Sequence, residues 1–251
     1  MKTPFFFSSA QKGHFYAVGV GPGASDLVTL RAVNLIKSAD VILAPKSESS
    51  SDSLALTAVE TIINRSRQEI IEHIYEMKRD REATRRCWRA AAETAAQRCL
   101  DGKSVVQITI GDPLIYSTAV YLHAELSDGL LGPDRIHFVP GISAFQAAGS
   151  ILGLPLALQE DRMLLMTATD LAQVEAALDN CETLVLYKAG KYLKQLADLL
   201  EKRGLYENAK LVCYAEQGDR QVCTDLRSAA NGRYGYMATV IISIGRKQWR
   251  S

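Results

Sequence analysis

The chain has 251 residues, of which 47% are hydrophobic and 23% charged, a composition that suits one large or two modest folded domains and excludes a disordered protein. Its 29 basic and 28 acidic residues nearly cancel, so no global charge favours nucleic acid or an anionic membrane as a partner. No apolar run approaches the roughly 20 residues that span a bilayer, which predicts a soluble protein.

Cysteine and histidine spacing indicates neither a disulfide framework nor a metal centre. The five cysteines include no C-x-x-C pair, and the four histidines share no ligand spacing, so each histidine is expected to be structural or exposed. We therefore expect reduced thiols, no bound metal and a cytoplasmic location. Residues 1–13 contain three phenylalanines but no apolar region of a signal peptide, and they are predicted to form a flexible leader.

The first half of the chain alternates short apolar runs with segments of helical spacing. Phe15–Val20 predicts a strand that ends in a glycine-rich loop, and a helix is expected from Leu27 with Ser25 or Asp26 as its N-cap. Further strands are predicted at 40–43, 69–75 and 104–110, and helices at 54–65, 80–100 and 118–126. This order predicts an α/β domain with a largely parallel sheet, whose ligands gather beyond the carboxyl ends of the strands.

The second half continues this alternation after Ser127–Arg135, a segment rich in Gly, Asp and Pro. That segment predicts a domain boundary, with domains at 14–128 and 129–251. The strand at 136–139 is expected to open the second domain. Other strands are predicted at 162–167, 183–187, 210–214 and 237–244, and helices at 144–152, 171–178 and 191–202. The sheet is expected to be more antiparallel near its end.

The stretch Gly111–Ser117 reads Gly-Asp-Pro-Leu-Ile-Tyr-Ser and directly follows the predicted strand 104–110. Its glycine leaves room for a ligand near the backbone, its proline fixes a turn, and Asp112 and Tyr116 add polar groups. The tripeptide Gly-Asp-Pro alone is common in turns that have no binding function. Its position at the end of a buried strand makes it a candidate binding edge.

Familiar nucleotide and hydrolase motifs do not fit. In the loop Gly19–Gly23, Pro22 removes a backbone donor that a dinucleotide pyrophosphate would use, and the next strand lacks the usual terminal acidic residue. The chain contains neither a G-x-x-x-x-G-K-[ST] loop nor a G-x-S-x-G elbow. These patterns argue against a Rossmann cofactor and a P-loop NTPase.

A basic cluster lies between the predicted strand 69–75 and the following helix. Its later arginines alternate with glutamates and are predicted to form a solvated helix face. Lys78, Arg79 and Arg81 stand before or at the start of the helix, where cationic groups could bind carboxylates. The residues alone thus indicate a two-part α/β enzyme that acts on an anionic substrate.

Four loops, taken together, resemble those of the tetrapyrrole methyltransferase family, whose members use S-adenosylmethionine. They are Gly19–Gly23, Ser38–Ile42, Gly111–Pro113 and Pro140–Ala144, in the order and spacing of that family. Within it, Tyr116-Ser117-Thr118 and Lys78-Arg79-Asp80 resemble the branch that methylates C20 of precorrin-2 or cobalt-factor II in cobalamin biosynthesis.

The resemblance implies two α/β domains, each a mixed sheet flanked by helices, with S-adenosylmethionine in the cleft between them. It also implies a homodimer and an anionic tetrapyrrole substrate. The implied cofactor contacts are Pro22, Ile110, Gly111, Asp112, Ile115, Ser143, Ala144, Tyr187, Lys188, Ala215, Glu216, Ala238 and Thr239.

Substrate contacts and chemistry are assigned on the same basis. Lys46, Lys78, Arg79 and Arg81 are expected to meet the substrate's carboxylates, and Pro22 and Tyr116 to face the macrocycle. Because methyl transfer from a sulfonium depends mainly on alignment, Asp112 and Tyr116 are candidates for positioning or proton handling only.

Two other functions stay open. A methyltransferase on the same scaffold could modify another ring position, or diphthamide as a diphthine synthase does. A protein of a different class could bind S-adenosylmethionine or a tetrapyrrole without transferring a methyl group. The sequence does not choose between metal-free precorrin-2 and cobalt-factor II.

Overall fold

The computed structural model of the protein describes residues 9–46, 53–74, 81–229, 232 and 234–245. The chain divides into two compact units, Met1–Ser143 (unit 1) and Ala144–Ser251 (unit 2). Each unit holds a five-stranded sheet with helices, so the predicted class of two α/β domains is confirmed. Within these ranges, no helix combines the length and the apolar character that a membrane crossing requires.

Unit 1 alternates strands and helices along the chain. Its strands are β1 (Phe15–Gly19), β2 (Val41–Lys46), β3 (Glu69–Ile74), β4 (Val105–Thr109) and β5 (Ile136–Val139). Its helices are α1 (Leu30–Ser38), α2 (Leu54–Val59), α3 (Arg81–Leu100) and α4 (Ala119–Ser127). The strands pair in the order β3-β2-β4-β1-β5, and all four pairings are parallel. An isolated antiparallel bridge joins Gly21 to Gly111.

Both faces of this sheet are covered by helices, which explains why its strands are apolar on both sides. Residues such as Val18 and Ile108 pack with Leu35 of α1 on one face. On the other face, Leu43 packs with Ala92 of α3 and other residues of α3 and α4. Since β4, β1 and β5 are parallel neighbours, the loops that follow them emerge side by side at one edge.

Three details of unit 1 differ from the sequence-based expectations. β5 pairs with β1, so the expectation that strand 136–139 opens the second domain is wrong, and the two units divide after Ser143 instead of at 128/129. Residues Ser25–Leu27 form a 3-10 turn, and the side chain of Thr29 accepts a hydrogen bond from the backbone of Ala32 to cap α1. Helix α2 ends at Val59, earlier than predicted.

Unit 2 contains a mixed sheet. Its strands are β6 (Met163–Thr167), β7 (Thr183–Tyr187), β8 (Ala209–Cys213), β9 (Val222–Asp225) and β10 (Ala238–Ser243). Its helices are α5 (Ala144–Leu152), α6 (Leu171–Ala177), α7 (Leu193–Lys202) and α8 (Leu226–Ala229). The strand order is β6-β7-β10-β8-β9, and β6 pairs with β7 in parallel.

The expected antiparallel character near the end of the chain is confirmed. β10 lies between β7 and β8 and is antiparallel to both, and β8 is antiparallel to β9. Therefore the carboxyl ends of β7 and β8 and the amino end of β10 meet at one edge of the sheet. The four-residue elements β9 and α8 were missed because they are too short to show a period.

Two histidines that the sequence leaves unrelated meet at the amino ends of β1 and β5. Nδ1 of His14 and Nε2 of His137 lie 2.9 Å apart and share one hydrogen, with ring centroids 5.2 Å apart. The ring of Tyr16, which is fully buried, stacks on His137 at 4.8 Å. Burial, and then the neighbouring His14, lower the pKa of His137, whereas Asp134 acts in the opposite direction.

Acidification should therefore weaken unit 1. Because the folded-state pKa of His137 lies below its unfolded value of about 6.5, the stabilisation is present above that pH and is lost as the pH falls. We expect the melting temperature to drop more between about pH 8 and about pH 5 for the wild type than for His137→Gln, which cannot titrate there. Equal drops, measured by circular dichroism, would contradict this prediction.

Candidate functional site

Three loops at the carboxyl edge of the unit 1 sheet touch through glycine backbones. Gly19 ends β1, Gly111 follows β4 and Gly141 follows β5. A Cβ atom placed on Gly19 would lie 2.5 Å from the carbonyl oxygen of Gly111 and 2.6 Å from the nitrogen of Gly141. Real Cβ atoms do not come so close to backbone atoms. We call this set of three residues the glycine contact, and it leaves no room for a side chain at Gly19 or Gly141.

The turn after β4 is also hydrogen-bonded to the loop after β1. The amide of Gly111 donates to the carbonyl of Gly21 at 2.7 Å, and both glycines have positive φ angles, 73° and 77°. These angles favour glycine over residues with a side chain. A Cβ on Gly111 would find the Cα of Ser143, at 3.9 Å, as its nearest atom beyond its chain neighbours. Gly111 is buried, and a side chain there would lie in van der Waals contact with Ser143.

The carboxylate of Asp112 joins two of these loops. One oxygen accepts the amide of Leu114 at 2.9 Å, and the other accepts the amide of Gly141 at 3.1 Å. Hydrogen bonds from backbone amides to a carboxylate are stronger than bonds between neutral groups. Asp112 thus fixes both its own turn and the loop after β5.

The rest of the turn contains Tyr116, whose ring is exposed, and Ser117, whose side chain is buried and hydrogen-bonded. Tyr116 has a φ of 49° and is 47% exposed. Ser117 is buried, lies 3.1 Å from the hydroxyl of Thr109 and accepts the amide of Ala119 at the start of α4. A non-glycine residue with such a φ angle is strained. The structure therefore holds Tyr116 in an unfavourable backbone conformation at the edge of the sheet.

The structure places the other predicted unit 1 contacts near the same edge. Pro22 follows β1 and is buried, and Ser143 is only 2% exposed. Ile110 and Ile115 flank the turn after β4 and are half-buried. These positions are brought together by the strand order β4-β1-β5, in agreement with the sequence-based grouping.

The predicted contacts of unit 2 also gather at one sheet edge. Lys188 follows β7, Ala215 and Glu216 follow β8, and Ala238 and Thr239 start β10. Ala215, Ala238 and Thr239 are buried, while Lys188 and Glu216 have positive φ angles of 60° and 59°. Since strained non-glycine residues concentrate at functional sites, this edge is the candidate site of unit 2.

Tyr187 connects the end of β7 to the first turn of α5. Its hydroxyl accepts the backbone amide of Phe145 at 3.0 Å. The first amides of a helix have no partner within the helix, so this bond satisfies one of them. Tyr187 therefore orients α5, which begins at Ala144, relative to the strand.

Close backbone approaches hold the loops of this edge together. A Cβ on Gly190 would collide with the carbonyls of Gly235 and Tyr234, and a Cβ on Gly235 would collide with the hydroxyl of Tyr214. The ammonium of Lys188 lies 5.1 Å from the ring centroid of Tyr236. Apart from Lys188, the sequence did not single out these residues as site residues, because the contacts depend on strand pairing between distant segments.

The predicted carboxylate-binding residues are only partly described. Lys46, at the end of β2, forms a 3.5 Å ion pair with Glu72. Lys78 and Arg79 lie outside the described residues, as does the side chain of Arg81, the first residue of α3. Farther along α3, Arg85 pairs with Glu125 at 3.0 Å and Arg89 with Glu93 at 3.1 Å. The predicted charged and solvated face of α3 is confirmed.

The described histidines and cysteines belong to no metal-binding group within the described residues. In the part of the chain that the structure describes, no three His, Cys, Asp or Glu side chains are grouped so that they could hold a metal ion. Burial raises the pKa of Cys99 to about 12 and that of Cys213 to about 11, so both thiols stay protonated at neutral pH.

A comparison with protein families identifies the class. The profile described as Tetrapyrrole (Corrin/Porphyrin) Methylases matches residues 14–221, well over half of the chain. The chain belongs to the tetrapyrrole methylase family, as its loops predicted.

Two relatives that match this chain over most of its length are C(20)-methyltransferases. Over 239 residues the chain is 29% identical to the cobalt-precorrin-2 C(20)-methyltransferase of Salmonella typhimurium, covering 94% of this chain and 98% of that protein. It is 27% identical over 241 residues to the precorrin-2 C(20)-methyltransferase of a Sinorhizobium species, covering 92% of this chain and 95% of that protein.

Solved structures share the fold at lower identity. A cobalt precorrin-4 methyltransferase superposes with a TM-score of 0.69 at 21% identity, covering 97% of this chain and 98% of that chain. A uroporphyrin-III C-methyltransferase from Thermus thermophilus, solved as a complex with S-adenosylhomocysteine, gives a TM-score of 0.63 at 20% identity. The match covers 92% of this chain and 97% of that chain.

Gly141→Ala should test the glycine contact. The new Cβ would lie 2.8 Å from the Cα of Gly19, so we expect a loss of about 3 kcal/mol or more in the free energy of unfolding, measured by urea denaturation. Gly129→Ala is the control, because its φ is positive but a Cβ there meets no atom within 4 Å. Its strain alone costs about 1–2 kcal/mol. A similar loss in both variants would refute the steric argument.

Proposed function

We propose that this protein transfers a methyl group from S-adenosylmethionine to C20 of precorrin-2 or cobalt-factor II in cobalamin biosynthesis. One observation carries the proposal: in each unit, the segments that the family resemblance assigns to the cofactor gather at a single sheet edge. The two C20-methyltransferase relatives, which match this chain over nearly its whole length, support the choice of branch.

The residues at these edges fit the proposed cofactor. In unit 1, Gly111 carries no side chain, and in unit 2, Ala215 and Ala238 have small buried side chains; such residues allow a ligand to approach the backbone. Such surfaces suit an adenosyl group, which needs apolar walls and a few backbone hydrogen bonds. When bound, S-adenosylmethionine supplies a methyl group that its positive sulfur has already activated.

The chain's own residues would then align the acceptor carbon. Asp112 uses both carboxylate oxygens to bind backbone amides, so we assign it to positioning the loops instead of handling protons. Tyr116 is exposed at the same edge, and we assign it to facing the macrocycle and positioning the reacting carbon. Proximity and orientation of this kind account for large rate enhancements without an acid or base.

Basic residues would meet the substrate's carboxylates. Lys46 would have to exchange its 3.5 Å contact with Glu72 for a substrate carboxylate, so we expect its contribution to be modest. Lys78, Arg79 and Arg81 are proposed as further contacts. We also propose that the enzyme works as a homodimer in the cytoplasm. Light scattering after size-exclusion chromatography measures the oligomeric state.

The activity is tested with purified protein, labelled S-adenosylmethionine and either precorrin-2 or cobalt-factor II. We expect label in the product of at least one substrate, at C20 by NMR. Methylation at another carbon would assign the protein to another branch of the family. Binding of both ligands without transfer would favour a non-catalytic protein.

The role of Asp112 is tested by two substitutions. Asp112→Ala removes two hydrogen bonds to a charged acceptor, each worth about 1.5–3 kcal/mol, so we expect lower thermal stability and at least about tenfold weaker S-adenosylmethionine binding by calorimetry. Asp112→Asn keeps one acceptor oxygen, so its thermal stability and cofactor affinity should lie between those of the wild type and Asp112→Ala. If Asn instead abolishes kcat while cofactor affinity and stability stay normal, Asp112 handles a proton.

A further inference from the structure

The loop after β8 is held in one shape by its own hydrogen bonds. The amide of Tyr214 donates to the carbonyl of Met237 at 2.9 Å, and the amide of Gln217 donates to the carbonyl of Tyr214 at 3.0 Å. The side chain of Gln221 folds back to accept the amide of Glu216 at 2.8 Å. Three residues after Gln217, the amide of Arg220 donates to the carbonyl of Gln217 at 3.3 Å. The loop therefore presents Arg220 from a fixed backbone.

The side chain of Arg220 is fixed as well. Its guanidinium carbon lies 4.4 Å from the ring centroid of Tyr214. Tyr214 has a strained φ of 50°, and its hydroxyl packs against Gly235, where a Cβ would not fit. An arginine held against an aromatic ring keeps its N–H edge available for a planar acceptor such as a carboxylate.

The charge of Arg220 is not neutralised by the described part of the protein. Other arginines of the chain pair with acids: Arg98 with Glu69, Arg162 with Glu182 and Arg227 with Glu207. No described carboxylate forms an ion pair with Arg220, which is exposed. Because Arg227, which also stacks on a tyrosine, pairs with Glu207, stacking alone does not explain why Arg220 has no acidic partner among the described residues.

Arg220 lies at the edge where the candidate site of unit 2 was found. It belongs to the loop that joins β8 to β9, and the end of β8 pairs with the start of β10 through Cys213 and Ala238. A stacked guanidinium that forms no ion pair with any described carboxylate, at an edge with strained backbones, can bind a carboxylate with little loss of side-chain entropy.

We propose that Arg220 binds a peripheral carboxylate of the tetrapyrrole substrate and so contributes to substrate specificity. The inference rests on the proposed function. The carboxylate of S-adenosylmethionine is the competing acceptor, and the experiment separates the two.

Arg220→Met removes the charge but keeps an unbranched side chain over Tyr214. We expect the KM for the tetrapyrrole to rise about tenfold, because one exposed charged hydrogen bond is lost. The kcat and the Kd for S-adenosylmethionine should not change. Arg227→Met is the matched control, since Arg227 stacks on Tyr206 at 4.9 Å and pairs with Glu207. It should leave all three constants unchanged. An unchanged KM for Arg220→Met, or an equal change in the cofactor Kd, overturns the proposal.

A binding experiment keeps this inference separate from the proposed reaction. Uroporphyrin III, a tetrapyrrole with acetate and propionate carboxylates, is titrated against each variant and followed by fluorescence quenching. We expect weaker binding by Arg220→Met than by the wild type and by Arg227→Met. That result stands even if the wild type methylates neither substrate, in which case only the proposed function fails. Equal binding by wild type and Arg220→Met, including none by either, overturns the role of Arg220.

Discussion

The site of unit 1 depends on the approach of three backbones. Gly19, Gly111 and Gly141 come from three neighbouring parallel strands, and their atoms are close enough that side chains cannot be accommodated at Gly19 or Gly141. This contact brings the turn that carries Asp112 beside the loop after β5, where its carboxylate reaches the amide of Gly141. The parallel sheet supplies the adjacency, and the glycines allow the contact.

The two units build their candidate sites by different means. Unit 1 uses glycines at positive φ angles and a carboxylate that binds two amides. Unit 2 places residues with large side chains, Lys188, Tyr214 and Glu216, at positive φ angles after its strands. In unit 1 the candidate surface is therefore mainly backbone, with the ring of Tyr116 as the one side chain among these residues that a positive φ angle directs outward. In unit 2, all three of these residues direct side chains from a constrained backbone.

Much of this arrangement follows from the sequence. Strand periodicity located β1, β4 and β7 almost to the residue, and the position of Gly111–Ser117 after a buried strand identified the edge. The domain boundary was misplaced because the Gly- and Pro-rich segment 127–135 resembles a linker, although it connects α4 to a strand of the same sheet. Only strand pairing, which is non-local, assigns β5 to β1.

Contacts between distant side chains could not be predicted either. The ion pair of Lys46 with Glu72 follows from the register of β2 and β3, and the pairing of His14 with His137 from that of β1 and β5. A single sequence contains no information on register beyond the apolar pattern. Likewise, nothing local marks Tyr116 or Tyr214 for a positive φ angle, since tyrosine does not favour that conformation.

The strained residues have a consequence for how such a protein could adapt to heat. Among the described non-glycine residues with positive φ angles, Tyr116, Lys188, Tyr214 and Glu216 lie at the candidate sites, and Gln159 lies in the loop between α5 and β6. Each costs on the order of 1–2 kcal/mol relative to a relaxed backbone. Replacing the first four with glycine would recover stability but remove the side chains from the sites. Thermal adaptation would thus act on Gln159 and similar loop positions, while the strained edges stay as they are.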